Sequence, residues 1–343
     1  MSFRPFVAGI GSFGLGSCVI ASFWRNPFGH STQEKSTNGP SLPNSTENSR
    51  VPGKSSGSDG LSPGNGSNVN PSGFFKYGFP GPIHDLRNRE EFVSCYDRQN
   101  RIPYWVVEHI TPQSLKNKSG DRKNSFFKED EALPDTFRSR LKDYFRSGYD
   151  RGHMAPAANA KFSQQAMDET FYLTNICPQV GEGFNRDYWA HLEYFCRQLT
   201  QKYQSVRIVT GPLFLPKKDP VDGKMKICYE VIGNPPTIAV PTHFYKLIVA
   251  ENPNSGSSTD VVAVGAFVLP NDKISNDTKL TDFEVPVDAI SRSTGLQFLQ
   301  KLPENKRVEL CKQVECRIVV REFNKAIAEP KKYPSLPPPR SSS

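Results

Sequence analysis

The sequence has 343 residues, of which 36% are hydrophobic and 11% aromatic, enough for one large domain or two ordinary ones around a sizeable core. The formal net charge of +8 invites a nucleic-acid partner, but most of it lies at the two ends. Residues 1–72 carry 5 Lys/Arg against 3 Asp/Glu, residues 331–343 carry 3 against none, and residues 73–330 carry 35 against 32. The net charge of the whole chain is therefore not evidence for nucleic-acid binding. Any phosphate recognition must come from a local cluster of basic residues.

The first 33 residues contain no Asp or Glu. Arg4 precedes an uncharged, Gly- and Ser-rich run over residues 6–24, and Arg25 closes it. Three alternatives remain open: a mitochondrial presequence, which is acid-poor with Arg and Ser, a membrane segment of about 20 apolar residues, and a secretory signal. We favour mitochondrial targeting over residues 1–28, with either retention in the inner membrane or residence in the intermembrane space.

Residues 29–72 contain no aromatic residue and are dominated by Ser, Gly, Asn and Pro. Such a segment buries too little apolar surface to offset its ordering entropy, and we predict a disordered linker that reaches roughly 35–40 Å as a flexible coil. We expect the folded domain over residues 73–328, followed by a disordered, proline-rich tail over residues 329–343.

Within the folded part we predict strands over residues 104–110, 206–209, 237–250, 261–269 and 316–321, with Gly211-Pro212 ending the second of them. Residues 111–131 are polar without a clear period and are interpreted as a loop. Apolar residues at helical spacing predict a helix over residues 185–203. Strands and helices without a regular βαβ alternation favour an α+β fold.

The seven cysteines form an odd, sparse set rather than a disulfide framework. The sequence contains no Cys-x-x-Cys pair and no His/Cys cluster that would predict a structural zinc site. Cys311 and Cys316 lie close together in the sequence, and we interpret them as ordinary thiols.

The densest chemical signal is Ser147-Gly148-Tyr149-Asp150-Arg151-Gly152-His153-Met154-Ala155-Pro156. Phosphodiester hydrolysis needs a base that activates water and positive charge beside the phosphate. His153 is the candidate base because imidazole titrates near neutral pH. In an extended segment Arg151 points to the same side and can bind phosphate oxygens, while Asp150 can orient its neighbours. The alternative is a structural histidine beside a surface turn.

Two further polar patches allow both a structural and a chemical interpretation. Asn175 lies inside an apolar run over residues 171–178, where it either satisfies loop backbone groups or supports a site. Asn185, at the predicted helix start, is either an N-cap or an oxygen ligand suited to Mg²⁺. Glu193, about 80° around the helix from Asn185, either accepts a hydrogen bond from the hydration water of a cation or faces solvent. We interpret His191 as a surface residue.

Together these patches resemble the ββα-metal family of non-specific DNA/RNA endonucleases, in its fungal mitochondrial endonuclease G branch. The resemblance covers roughly residues 74–320 and centres on Asp150-Arg151-Gly152-His153. Asn175-x-x-Pro178-Gln179, the helix start over residues 185–193 and Thr210-Gly211-Pro212 support it. It implies a mixed or antiparallel sheet with helices, and a ββα-metal finger that carries the active site.

The resemblance also implies roles for individual residues. His153 would be the general base, Asn185 the single direct protein ligand of one Mg²⁺ (with Mn²⁺ as an alternative ion), and Glu193 the group that binds the ion's outer water. Arg151 would contact phosphate, Asp150 would belong to the catalytic set, and Asn175 would support the site geometry. An arginine on the strand entering the site would be Arg101, although Arg98 is close enough to be confused with it.

Because these contacts are to the nucleic-acid backbone, they carry no base information. We therefore expect low sequence specificity and action on single- and double-stranded DNA and on RNA. The resemblance also implies a homodimer. The rival interpretations are a non-catalytic, membrane-tethered DNA-binding protein, a phosphodiesterase of small molecules, and a scaffolding protein with an accidental motif.

Overall fold

The computed structural model describes residues 71–78, 85–252 and 261–320. The predicted targeting segment over residues 1–28, nearly all of the predicted linker and the predicted tail lie outside these residues. In the part of the chain that the structure describes, no helix has both the length and the apolar character needed to cross a bilayer.

A seven-stranded sheet forms the centre of the described structure, with the strand order β1-β2-β3-β6-β11-β12-β13. Neighbouring strands are antiparallel except for β12 and β13, which are parallel. Its strands are β1 (Asp85–Asn88), β2 (Phe92–Asp97), β3 (Ile102–Ile110), β6 (Ser205–Leu213), β11 (His243–Glu251), β12 (Val262–Pro270) and β13 (Arg307–Glu309).

Three two-stranded ribbons lie outside this sheet. They are β4 (Asp150–His153) with β5 (Ile176–Gln179), β7 (Lys217–Lys218) with β8 (Met225–Lys226), and β9 (Val231–Ile232) with β10 (Ile238–Ala239).

The helices are short, and the longest one, α4, carries Glu193. The α-helices are α1 (Pro71–Phe74), α2 (Pro112–Lys116), α3 (Gln164–Glu169), α4 (Trp189–Gln198), α5 (Val287–Thr294) and α6 (Leu310–Gln313). A π-helical segment, Gly181–Tyr188, leads into α4. The 3₁₀ turns are Arg122–Asn124, Asp135–Phe137, Leu141–Tyr144, Leu173–Asn175, Leu199–Gln201, Leu280–Phe283 and Glu304–Lys306. This mixture confirms the predicted α+β class.

Both faces of the central sheet are covered. On one face Trp189, Leu192 and Phe195 of α4 pack in the same apolar cluster as Ile208 and Phe244 of the sheet. On the other face, Ala289 and Ile290 of α5 pack with alternate residues of β11 and β12. Burial on two faces explains why β11 is apolar almost throughout, since neither set of alternating side chains reaches water. Each large apolar side chain buried in this way contributes about 1.5–3 kcal/mol.

The strand over residues 206–209 does not end at Gly211-Pro212, as we had predicted. β6 continues through both residues, and Pro212 pairs with Phe244 of β11. The proline is tolerated because the pairing of β6 with β3 extends only to Thr210, so its missing N–H removes no ladder bond on that side. At Gly211 a Cβ would lie 2.8 Å from the Tyr245 ring and 2.9 Å from the Tyr104 carbonyl oxygen.

Two other predicted strands differ from the structure. Residues 237–250 divide into β10 and β11 around Pro241, which has no N–H for a central ladder. Residues 316–320 form no strand, and Arg321 lies outside the described residues.

Cys316 forms a disulfide with Cys311, whose Cα lies 5.2 Å away. The interpretation of this pair as ordinary thiols was therefore wrong. Their spacing is within the reach of a disulfide once the chain turns at the end of α6.

A buried ionic cluster attaches the segment around α1 to the end of the sheet. Glu251 accepts hydrogen bonds from Lys76 and Tyr77 and pairs with Arg207. Arg207 also donates from Nε to the Gly73 carbonyl at 2.7 Å. Glu251 and Arg207 are 5% and 8% exposed, so each needs the other's charge. This attachment is consistent with a folded domain that begins near residue 73, and that boundary remains a prediction.

We predict that Glu251→Gln lowers the free energy of unfolding by about 3 kcal/mol, because it leaves the buried Arg207 guanidinium without a counter-charge. Urea unfolding of both proteins measures the loss. The matched control is Glu309→Gln, which removes the exposed Glu309–Lys312 pair and is expected to cost less than about 0.5 kcal/mol. Equal losses for the two variants would contradict this account of the cluster.

Candidate active site

The β4–β5 ribbon presents the central motif. Asp150 pairs with Gln179 at one end of the ribbon and His153 pairs with Ile176 at the other. Gly152 is required at its position, because a Cβ there would lie 1.9 Å from Oε1 of the buried Gln179 side chain. The glycine of the motif therefore leaves the space that the Gln179 side chain occupies.

His153 lies in an aromatic pocket. Its ring makes an edge-on contact with Phe171 at 4.8 Å between centroids and a tilted contact with Phe127 at 5.4 Å. The residue is 8% exposed, and its buried Nε2 has no hydrogen-bond partner among the described residues. Burial, and then the positive charge of Arg122, lowers the pKa of His153 from 6.5 to about 3. The imidazole is thus neutral at physiological pH, the form in which one ring nitrogen can accept a proton.

Arg151 shares the side of β4 on which His153 lies, as the spacing of two residues predicted. Its guanidinium carbon lies 4.5 Å from the centroid of the Phe127 ring, the ring that also contacts His153. Stacking on an aromatic face positions a guanidinium while leaving its N–H groups free to bind an anion. Arg151 and His153 therefore lie together around one aromatic side chain.

Asp150 links the ribbon to the helical segment that carries Asn185. Its Oδ2 accepts from Asn185 Nδ2 at 2.9 Å and from Arg186 Nε at 2.7 Å, and its Oδ1 accepts from Arg186 Nη2 at 2.5 Å. The Asn185 backbone N–H donates to the Val180 carbonyl at 2.9 Å. Asn185 is therefore inside the helical segment, and its side chain binds Asp150 instead of capping the helix.

The helix containing the predicted residues 185–203 has an irregular start. Glu182 and Gly183 depart from helical backbone angles, and Gly183 has a φ of 82°, which glycine adopts without strain. The Gly183 N–H donates to Asp187 Oδ2 at 2.6 Å. Regular α-helix follows from Trp189 to Gln198 and ends in the turn Leu199–Gln201. The predicted helix is thus present, but its first turn is wider than an α-helix.

Glu193, on α4, is half-buried. Burial raises its pKa, while the positive charges of Lys246, Arg197 and Arg122 act in the opposite direction. The charge of the Glu193 carboxylate is therefore influenced by these surrounding cations.

The surface interpretation of His191 was wrong, because that residue is 1% exposed.

Arg122 is a site residue that the sequence analysis missed. Its guanidinium carbon lies 5.3 Å from the centroid of Phe171, the ring in edge-on contact with His153. Its charge lowers the pKa of His153 and of Glu193. It lies in a 3₁₀ turn begun by Asp121, whose side chain accepts from the Lys123 N–H at 2.9 Å. An Asp followed by a short basic turn was the signal available within the stretch that we interpreted as a loop.

Arg101 does not take the position that the resemblance suggested. Its guanidinium donates to the Thr136 carbonyl at 2.8 Å, and it lines an open cleft with Tyr229 and Thr237. Among the described residues no contact joins it to His153, Asn185 or Glu193. Arg98, the alternative, forms a two-bond ion pair with Asp85 at 2.5 and 2.7 Å. Arg122 lies beside the His153 pocket instead, in the same stretch as Phe127, which contacts both His153 and Arg151.

Asn175 satisfies loop backbone groups and, through them, supports the site. It is fully buried. Its Oδ1 accepts from the Ala155 N–H, and its Nδ2 donates to the carbonyls of Ala155 and Thr170, all at 2.9 Å. Ala155 follows His153 by two residues, so this amide fixes the chain directly after the candidate base.

The residues present fit a hydrated divalent cation. In the described ranges no group of three or more His, Cys, Asp or Glu side chains could bind a metal ion. Because Asn185 donates to Asp150 through Nδ2, its Oδ1 is directed away from that carboxylate and has no hydrogen-bond donor among the described residues. Amide and carboxylate oxygens suit Mg²⁺, which retains several waters when it binds. The Asn185 amide and the Glu193 carboxylate are the side chains here that would hold such an ion.

We predict that His153→Gln makes stability less sensitive to acid. The folded-state pKa of about 3 lies below the unfolded value of 6.5, so the unfolded chain takes up the proton first and stability is lost as the pH falls below 6.5. At about 1.4 kcal/mol per pH unit, the loss reaches roughly 2.7 kcal/mol by about pH 4.5. Urea unfolding at pH 7 and 4.5 measures it, and equal losses in wild type and variant would contradict the buried neutral state.

Comparisons with known proteins agree with this arrangement. The DNA/RNA non-specific endonuclease family matches residues 70–305. The mitochondrial nuclease of Saccharomyces cerevisiae is 72% identical over 274 residues, covering 80% of this chain and 83% of that protein. Human mitochondrial endonuclease G is 42% identical over 227 residues, covering 66% and 73%.

A solved structure is also similar. The chain matches one in the crystal structure of the EndoG/EndoGI complex with a TM-score of 0.66 and 47% sequence identity, covering 71% of this chain and 97% of that one. The paired strands β4 and β5, followed by α4, have the strand–strand–helix arrangement of a ββα motif. On its sequence, its fold and the match over residues 70–305, the chain belongs to the divalent-metal-dependent family of DNA/RNA non-specific endonucleases.

Proposed function

We propose that this chain hydrolyses phosphodiester bonds within DNA and RNA, with Mg²⁺ as its ion and Mn²⁺ as an alternative. The observation that carries the proposal is the neutral His153 imidazole, which shares aromatic contacts with Arg151 and Arg122 on the ribbon whose Asp150 binds Asn185. In this proposal the base, the two guanidinium groups and the metal ligand act on one phosphate.

In this mechanism His153 takes the proton from the attacking water, which a neutral imidazole can do at physiological pH. Arg151 and Arg122 bind the non-bridging phosphate oxygens and orient the phosphorus toward that water. Asp150 fixes the rotamer of Asn185, which would bind the cation directly, and Glu193 would accept hydrogen bonds from its hydration shell. When bound, the cation supplies positive charge that stabilises the negative charge developing on the phosphate and on the leaving oxygen.

These roles require only contacts with the phosphate and the attacking water. Contacts with the nucleobase and with the 2′-hydroxyl are therefore not needed. We therefore propose low sequence preference and activity on single- and double-stranded DNA and on RNA. Relatives named mitochondrial in Saccharomyces cerevisiae, Schizosaccharomyces pombe and human, together with the acid-free first 33 residues, support a mitochondrial location, in the inner membrane or the intermembrane space. A homodimer is part of the same proposal.

The direct test is the nicking of supercoiled plasmid and the cleavage of single-stranded RNA by the full chain. We expect both activities with Mg²⁺, their loss in EDTA, and a decrease of at least about 10²-fold in His153→Ala and in Asn185→Ala. A chain that binds DNA equally in all four conditions without cutting it would support the non-catalytic alternative. Activity confined to small phosphodiesters and not reduced by long nucleic acid would support the small-molecule alternative.

A second prediction separates the two candidate arginines. Arg122→Ala removes a guanidinium beside the scissile phosphate and is expected to lower kcat about 10²-fold. The matched control, Arg101→Ala, removes a guanidinium bound to the Thr136 carbonyl and should change kcat less than about threefold. Initial rates of nicking measure both, and circular dichroism checks their folding. A larger loss in Arg101→Ala than in Arg122→Ala would reverse the assignment.

A further inference from the structure

Residues 116–124, between the end of α2 and the turn that carries Arg122, are strongly basic. They contain four Lys/Arg against Asp121 alone, whereas residues 73–330 as a whole contain 35 Lys/Arg against 32 Asp/Glu. The difference is +3 in both cases, so this short stretch holds as much net charge as the entire domain. The mechanism proposed above uses Arg122 but gives no role to the three lysines, which are Lys116, Lys118 and Lys123.

Lys161, from a separate segment of the chain, joins this stretch. The Gly120 N–H donates to the Lys161 carbonyl oxygen at 2.8 Å, and Ser119 Oγ donates to the Phe162 carbonyl oxygen at 2.6 Å. The two segments approach so closely that a Cβ at Gly120 would lie 2.8 Å from the Ser163 carbonyl oxygen. Lys161 is therefore held beside the basic stretch by backbone contacts.

The lysines of these two segments form one exposed group, which we call the basic strip: Lys116, Lys118, Lys123 and Lys161. Among the described residues none of the four forms an ion pair. Residues 138–146 contain as many Lys/Arg, but there Arg138 and Arg140 pair with carboxylates. The basic strip is thus distinguished by cations that the described fold leaves without a counter-charge.

The one acidic residue within this stretch has a structural role instead. Asp121 Oδ1 accepts from the Lys123 backbone N–H at 2.9 Å and so begins the 3₁₀ turn. Like charges held close together repel each other and lower the stability of the fold. A polyanion lying along the basic strip would remove that repulsion and would release its own counterions.

The basic strip begins at the candidate active site. Lys123 follows Arg122, whose guanidinium carbon lies 5.3 Å from the centroid of Phe171, the ring that contacts His153. The six residues from Lys116 to Arg122 span at most about 20 Å, while the phosphates of one DNA strand follow each other about every 3.4 Å along the helix axis. The basic strip therefore has the reach to contact several phosphates beyond the scissile one.

We propose that the basic strip is an accessory binding surface for the nucleic-acid backbone, which binds several phosphates on one side of the scissile bond. The inference rests on the proposed function, because the substrate of a nuclease is the polyanion in question. Lysines are point charges on flexible side chains, so they follow a phosphate backbone without reading bases. They contribute to the binding of long substrates and take no part in the chemical step.

The test measures the binding of a short, fluorescently labelled DNA duplex to the full chain by anisotropy in EDTA, from about 50 to 200 mM salt. The triple variant Lys118→Gln/Lys123→Gln/Lys161→Gln removes three of the proposed phosphate contacts. We expect it to weaken binding about 10-fold or more at low salt, and to reduce the slope of log K against log[salt] by about 2–3. Replacing the same three lysines by arginine should preserve the wild-type slope, because the charges remain.

The matched control is Lys217→Gln/Lys218→Gln/Lys224→Gln, which removes the same charge from three exposed lysines of the β7–β8 hairpin. It should change the slope by less than about 0.5. In plasmid nicking with Mg²⁺, the triple glutamine variant of the basic strip should raise the KM for DNA about 10-fold while kcat falls less than about threefold.

Equal losses of salt dependence in the two glutamine variants would overturn the inference, because they would report only the net charge of the chain. A wild-type slope in the basic-strip variant would also overturn it, and if the wild-type chain cuts DNA the proposed function would survive that result. A wild-type chain that binds DNA through the basic strip but cuts neither DNA nor RNA would support the surface and refute the proposed function.

Discussion

The candidate site depends on one interaction, the contact of the Asp150 carboxylate with the Asn185 amide and the Arg186 guanidinium. Asp150 belongs to the ribbon that carries His153, whereas Asn185 belongs to the helical segment, and the two are 35 residues apart in sequence. A carboxylate that accepts from two donors on one helical turn fixes both the distance between these elements and the rotamer of the amide. Without it, the candidate base and the candidate metal ligand would belong to independently moving parts.

The surrounding fold makes that contact rigid. The ribbon is held by Gln179 packed on Gly152 and by Asn175 bonded around Ala155. The helix is held by Trp189 and Leu192 in the main core cluster. The site is thus supported from the sheet upward.

The sequence predicted the parts of this structure that depend on local pattern. The helix over residues 185–203 has apolar residues at helical spacing, and the strands at 104–110 and 261–269 are mostly apolar runs. All three lie close to their predicted positions. Pro212 was misread because a proline usually ends a strand, and only the pairing shows that β6 extends beyond β3 there. The Cys311–Cys316 bond depends on a turn after α6 that no periodicity indicates.

The relative placement of the central motif could be predicted from the sequence, whereas contacts from distant parts of the chain could not. His153, Arg151 and Asp150 are contiguous, and the structure places them as their spacing suggested. Arg122 comes from an irregular stretch of the chain, whereas Arg101 was chosen from the resemblance because it lies just before a recognisable strand.

The most direct measurement of the central claim is the crystal structure of the His153→Ala variant with Mn²⁺ and a short DNA duplex, with the ion located by its anomalous scattering. The account predicts one Mn²⁺ in contact with Asn185 Oδ1 and with an oxygen of a single phosphate, whose opposite side faces the position vacated by the imidazole. A Mn²⁺ ion bound elsewhere, or a phosphate that contacts Asn185 while residue 153 faces a different part of the duplex, would contradict it.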